Sequence, residues 1–112
     1  MEREALWVCM GGEEQRFQVK IEEGVWIEVR KTRDLEKGFD WAAVLTVMRS
    51  GRRHAVYLYD NAHGHPERHR YRGQLKLEAE RLPTKGSARL DLPAAVEEIK
   101  AKWEGMVERW EP

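Results

Sequence analysis

The densest group of chemically competent side chains in this 112-residue chain lies between Asp60 and Arg72. These thirteen residues include three histidines, three arginines, two acids and one asparagine. Gly64 and Pro66 interrupt the segment, which predicts a loop rather than a continuous helix or strand. Loops held between two strands often carry functional groups. The segment is therefore the candidate site.

General acid–base cleavage of RNA is the first chemistry that this segment suggests. One histidine can take the proton of a ribose 2′-hydroxyl while a second protonates the leaving oxygen, and arginines can stabilise the charge on phosphorus. The scheme needs no metal or other cofactor. The predicted catalytic residues are His63, His65, His69, Asp60, Arg68 and Arg70. The predicted substrate-binding residues are Asn61, Tyr59, Tyr71, Arg72, Arg52 and Arg53, with the tyrosines stacking on bases.

Three other interpretations stay open. The spacing His63-x-His65-x3-His69, with Asp60 nearby, also suits a metal-dependent hydrolase, although the flanking arginines would repel a divalent cation. The segment could instead form the basic face of a non-catalytic module that binds nucleic acid or an acidic protein. A solvated surface without function is the third interpretation.

Composition and charge narrow the class of protein. With 41% hydrophobic and 36% charged residues, residues 1–112 are expected to form a single domain with room for one site. Twenty basic residues balance twenty acids, which argues against a polycation that coats nucleic acid. Charge is uneven, however: residues 49–73 carry a net +4 and all four histidines, and residues 91–112 carry −3.

The expected location is the cytoplasm. No apolar run approaches the roughly 18 residues of a membrane helix, so no membrane partner is expected. The charged start of the chain predicts no secretory signal. A lone cysteine, Cys9, is typical of a reducing compartment.

Period-two alternation predicts about five antiparallel strands within residues 5–82. In the last of them we expect Leu75, Leu77 and Ala79 to face inward. The predicted first hairpin joins residues 17–22 to 25–29, the second joins 42–48 to 54–59, and the last strand covers 71–80.

An amphipathic helix is predicted at about residues 92–110, with Asp91 as its N-cap and Pro93 in its first turn. Its apolar stripe must pack on another element, and the sheet is the obvious acceptor. The predicted fold is therefore α+β, an antiparallel sheet packed against one long C-terminal helix. The stripe would also suit a homodimer interface. The apolar stripe consists of Leu92, Val96, Ile99, Trp103, Met106 and Trp110.

The order of these features resembles the TumE-type family, small bacterial and archaeal toxins of type II toxin–antitoxin modules. The resemblance covers residues 17–110. Its loop, from Ala62 to Glu67, is tighter than the family pattern and has an extra proline, and the tryptophan-rich helix is also unusual. The matching positions are Tyr59, Asp60, Asn61, Gly64, His65 and His69, together with His63.

The resemblance implies a growth-inhibiting protein that targets RNA and is neutralised by a separately encoded antitoxin. A sister family that shares the core without the toxin activity is the alternative. Together, the resemblance to the toxin family and the acid–base scheme predict a toxin-like, metal-independent ribonuclease.

Overall fold

A computed structural model describes residues 8–10, 14–34 and 38–112. Within these residues the fold is α+β, with an antiparallel sheet packed against one C-terminal helix, as predicted. The strands are β1 (Val8–Met10), β2 (Glu14–Glu22), β3 (Val25–Asp34), β4 (Gly38–Arg49), β5 (Arg52–Asp60), β6 (Glu67–Arg72), β7 (Leu75–Lys76) and β8 (Glu80–Arg81), and the helix is α1 (Ala88–Arg109).

The sheet is an antiparallel meander. Strands β1 to β7 lie in chain order, and β8 pairs with β6. Both predicted hairpins are confirmed, as β2–β3 and β4–β5. The strand count is higher than the predicted five because β1, β7 and β8 have only two or three residues, too few for alternation to show.

Helix α1 covers one face of the sheet and contacts β4 and β5. Ile27, Leu45 and Ile99 are fully buried between the two layers. The predicted stripe faces this core: four of its six residues are buried, and Val96 and Trp103 pack against it partly buried. No helix in the described ranges is long and apolar enough to cross a membrane.

The start of the helix differs from the prediction. Helix α1 begins at Ala88, and Ser87 occupies the N-cap position. The buried Asp91 carboxylate instead accepts hydrogen bonds from the Lys85 backbone N–H at 2.5 Å and from the Thr84 hydroxyl at 2.7 Å. Asp91 therefore fastens the preceding loop to the first helical turn.

The predicted strand over residues 71–80 is interrupted. Gly73 has a φ of 58°, a turn conformation that glycine adopts without steric cost, and β6 ends just before it at Arg72. Leu75, expected to face inward, is 62% exposed, and Ala79 is also exposed, whereas Leu77 is half-buried. The alternation that suggested one strand here therefore spans the end of β6, a turn, the whole of β7 and the first residue of β8.

Replacing Gly105 by alanine is expected to stabilise the protein by roughly 0.5–1 kcal/mol, because glycine is a poor helix former. A Cβ atom there would approach only the flexible guanidinium of Arg109, at 3.2 Å from Nη1. Urea unfolding of wild type and Gly105→Ala measures the difference. A loss of stability would mean that the Arg109 side chain cannot move aside.

Candidate functional site

The segment that the sequence singles out is divided between the two faces of the sheet. Strand β6 begins at Glu67, inside the predicted loop, and pairs with β5 in the register Asp60↔Glu67 and Leu58↔His69. Successive side chains of a strand point to opposite faces. Glu67 and His69 therefore lie on the face opposite α1, which we call the open face, and Arg68 lies on the helix side.

The turn between β5 and β6 is fastened by Asn61. Its side-chain oxygen accepts a hydrogen bond from the Trp41 N–H at 2.9 Å, and its side-chain nitrogen donates to the Phe39 carbonyl at 3.2 Å. Gly64, with a φ of 86°, donates its N–H to the Asn61 carbonyl. Predicted as a substrate-binding residue, Asn61 here fixes the turn to the neighbouring strand.

Asp60, Glu67 and His69 form a compact cluster, the carboxylate–histidine cluster. All three are buried, at 8%, 6% and 7% exposure, and one ligand atom from each lies within 4.8 Å of the others. The His69 Nδ1 atom lies 3.0 Å from the Leu77 carbonyl, to which it donates, because a carbonyl can only accept. The Nε2 atom of His69 is thereby turned toward the two carboxylates.

The spacing within the cluster fits a bound cation. His69 Nε2 lies 3.7 Å from Glu67 Oε1 and 4.0 Å from Asp60 Oδ2, both too long for hydrogen bonds. Ligands held about 2.0–2.2 Å from a tetrahedral metal ion lie roughly 3.5 Å apart, so the three ligand atoms, which lie within 4.8 Å of one another, would have to move closer together on metal binding. An Nδ1 atom bonded to a carbonyl is also the usual arrangement of a metal-binding histidine.

The two carboxylates of the cluster give a second reason to expect a bound cation. Asp60 and Glu67 are directly paired across the two strands, and like charges in that position repel each other. Buried carboxylates are normally paired with a cation or coordinate a metal. Glu67 is already paired with His63 and His65, whereas no cationic group among the described residues lies within hydrogen-bond distance of Asp60. The arginine between Glu67 and His69 in the sequence points to the other face.

Two further imidazoles contact Glu67 from the turn. His63 Nδ1 lies 2.9 Å from Oε1, and His65 Nε2 lies 3.0 Å from Oε2. The hydrogen bond with Glu67 raises the pKa of His63, and the hydrogen bond with His63 is the main reason that the pKa of Glu67 is lowered. His63 is 69% exposed and His65 is 23% exposed, so these two imidazoles form the solvent side of the cluster.

Arg68 belongs to an ion-pair network on the helix side. Its Nε and Nη2 atoms donate to the two carboxylate oxygens of Glu80, at 2.8 and 2.9 Å, and Nη1 donates to Glu98 of α1 at 2.6 Å. The fully buried Tyr59 donates its hydroxyl to the same Glu98 oxygen at 2.5 Å. Burial raises the pKa of Tyr59 well above its usual value, so the phenol stays protonated. Neither side chain is available to a substrate in this geometry.

The structure does not bring the remaining predicted residues to the cluster as a group. Arg70 is exposed and shares the helix-side face with Arg68, and Arg72 lies 3.5 Å from Glu111. Arg53 stacks over Trp26 at 4.0 Å and pairs with Glu28. Arg52 is exposed beside the hairpin turn.

Tyr71 is the exception among the substrate-binding predictions. It follows Glu67 and His69 at two-residue steps, so it lies on the open face with them. Burial and then the Asp60 charge raise its pKa.

Sequence reasoning did not predict that Glu67 would lie beside Asp60 and His69, that the Leu77 carbonyl would contact His69, or that two cations would lie near Asp60. Arg30 and Lys76 line a cleft that contains Asp60 and Asn61, which we call the Asp60 cleft. The available signal was the spacing Asp60-x6-Glu67-x-His69, since a hairpin closed around six residues places the first two opposite each other.

Comparisons with known proteins give no further constraint. No family model, no curated protein and no solved structure matches the chain.

Proposed function

We propose that the protein is a divalent-metal-dependent hydrolase whose metal ligands are Asp60, Glu67 and His69. One observation carries the proposal: the Leu77 carbonyl fixes His69 so that its Nε2 atom points toward two buried carboxylates at 3.7 and 4.0 Å. One histidine and two carboxylates suit Zn²⁺ or Mn²⁺. Three protein ligands leave coordination positions for water, which is typical of catalytic sites.

When bound, a divalent ion would supply a polarised water of lowered pKa for hydrolysis near neutral pH. Asp60, Glu67 and His69 would hold the ion. His63 contacts Oε1 of Glu67 and His65 contacts Oε2, so the two imidazoles orient the Glu67 carboxylate.

Metal binding and hydrolysis test the proposal together. We expect protein freed of metal with EDTA to bind about one equivalent of Zn²⁺ or Mn²⁺ by isothermal titration calorimetry. The metal should restore hydrolysis of one of three chromogenic substrates: a phosphodiester, a phosphomonoester or a carboxylic ester. Failure to bind either metal would contradict the proposal.

The metal-free ribonuclease scheme predicts the opposite response. In that scheme RNA is cleaved in EDTA, growth arrest follows induction in a bacterial host, and a His63→Ala, His65→Ala, His69→Ala triple variant loses both effects. Growth arrest that an antitoxin reverses would support the TumE resemblance. RNA cleavage that stops in EDTA and returns with Mn²⁺ would favour the metal mechanism, with RNA as its substrate.

A further inference from the structure

We infer that Arg30 and Lys76 bind the anionic reacting group of the substrate, and that this group is a phosphodiester. The inference rests on the proposed metal site and names the class of substrate that it would hydrolyse. Neither cation belongs to the segment between residues 60 and 72, and β3 and β7 supply them from opposite sides of the cluster.

Sheet register brings Arg30 to the cluster. Arg30 pairs with Ala42, and Ala42 pairs with Asp60, so the three residues form one row on the open face. Adjacent strands are about 4.8 Å apart, which places the Arg30 backbone roughly 10 Å from that of Asp60. Only the methyl group of Ala42 lies between them, and the arginine can extend across it along the cleft.

Lys76 approaches from the other side. It pairs with Tyr71, which shares the open face with Glu67 and His69, and it lines the Asp60 cleft together with Arg30. Both cations are exposed, and neither forms an ion pair with any residue in the described part of the chain. They are therefore available to a ligand, in contrast to Arg53 and Arg68.

The charge of the cleft selects the substrate. With a divalent ion compensating Asp60 and Glu67, Arg30 and Lys76 are opposed within the cleft by Asp40, and Arg81 lies opposite Glu67 on the neighbouring strand. The resulting net positive charge suits an anionic reacting group such as a phosphodiester. Peptides, neutral esters and glycosides have an uncharged reacting group and gain nothing from two cations beside the metal. A guanidinium also matches the oxygens of a phosphate in geometry.

Binding of a single-stranded thymidine hexanucleotide to Zn²⁺-saturated protein tests the inference by fluorescence anisotropy. We expect Arg30→Gln to weaken binding about 10-fold and the Arg30→Gln, Lys76→Gln double variant about 100-fold, since each removes one charge-assisted hydrogen bond. A hexanucleotide with an uncharged methylphosphonate backbone should bind wild type as weakly as the normal strand binds the double variant.

The control removes the same charge elsewhere. Arg89→Gln with Lys102→Gln alters two exposed positions of α1 and is expected to change binding less than 3-fold, by long-range electrostatics alone. Equal losses in the two double variants, or equal binding of the charged and uncharged strands, would overturn the inference.

Calorimetry with Zn²⁺ separates this inference from the proposed function. Arg30→Gln and Lys76→Gln should leave Zn²⁺ affinity within about 3-fold of wild type, because neither residue is a ligand. If wild type fails to bind Zn²⁺, the proposed function is wrong, and the same strand titration in metal-free protein still decides whether Arg30 and Lys76 bind phosphodiesters.

Discussion

Replacing Glu67 by glutamine is expected to weaken the proposed Zn²⁺ or Mn²⁺ binding by about 100-fold or more and to abolish the proposed hydrolysis. Removal of a partner outside the ligand shell already costs about 10–100-fold in metal affinity, and removal of a ligand should cost at least as much. Glutamine keeps the size of the side chain and can still hydrogen-bond to His63 and His65, so the main loss is the negative charge. Isothermal titration calorimetry of the metal-free variant measures the effect.

The matched control is Glu78→Gln, which makes the same change at an exposed position near the end of the sheet. It should bind metal as wild type does. Circular dichroism should show that Glu67→Gln is folded. If the folded Glu67→Gln variant binds metal as tightly as the control, Glu67 is not a ligand.

The second prediction with a large expected effect concerns the stability of the fold. Arg68→Ala is expected to lower the free energy of unfolding by about 2 kcal/mol, because it leaves Glu98 without its cation and removes both hydrogen bonds to Glu80. The expected loss of stability is smaller than for a fully buried ion pair, because the side chains of Arg68 and Glu98 are 22% and 30% exposed. Urea unfolding monitored by tryptophan fluorescence measures it.

Arg70→Ala is the comparison for this prediction. Arg70 lies two residues further along β6 on the same face, is exposed and has no ion pair within the described residues, so its loss should change stability by less than about 0.5 kcal/mol. Metal affinity should be unchanged in both variants. An Arg68→Ala variant as stable as wild type but inactive would return Arg68 to the catalytic role that the sequence suggested.

The sequence predicts the architecture because its signals are local and repeated. The four- and three-residue steps from Leu92 to Trp110 identify the helix face that α1 buries, and alternation on either side of Gly24 identifies the β2–β3 hairpin. Strands of two or three residues, such as β1, β7 and β8, are too short for alternation to reveal. Gly73 could not be recognised as the end of β6, because the alternation continues on both sides of it.

The candidate site could be located from the sequence but not resolved into its parts. No position of β6 is aliphatic, so no alternation of polar and apolar side chains distinguishes its two faces in the sequence. The contacts that distinguish the two faces of β6 are made by Glu98 in α1 and by the Leu77 carbonyl, and both lie outside the β5–β6 hairpin. Arg30 becomes a neighbour of Asp60 only through the register of two strand pairs.

The alternation in β6 has a consequence for how this protein can change over evolutionary time. Glu67 and His69 belong to the proposed metal site on one face of the strand, while Arg68 ties the sheet to α1 on the other. Substitutions at Glu67 and His69 would therefore change the proposed site without loosening the attachment of the helix. Conversely, Arg68, Glu80 and Glu98 can vary together without contacting the proposed ligands. One six-residue strand thus carries two interleaved sets of positions that can change independently, those of the proposed site and those that stabilise the fold.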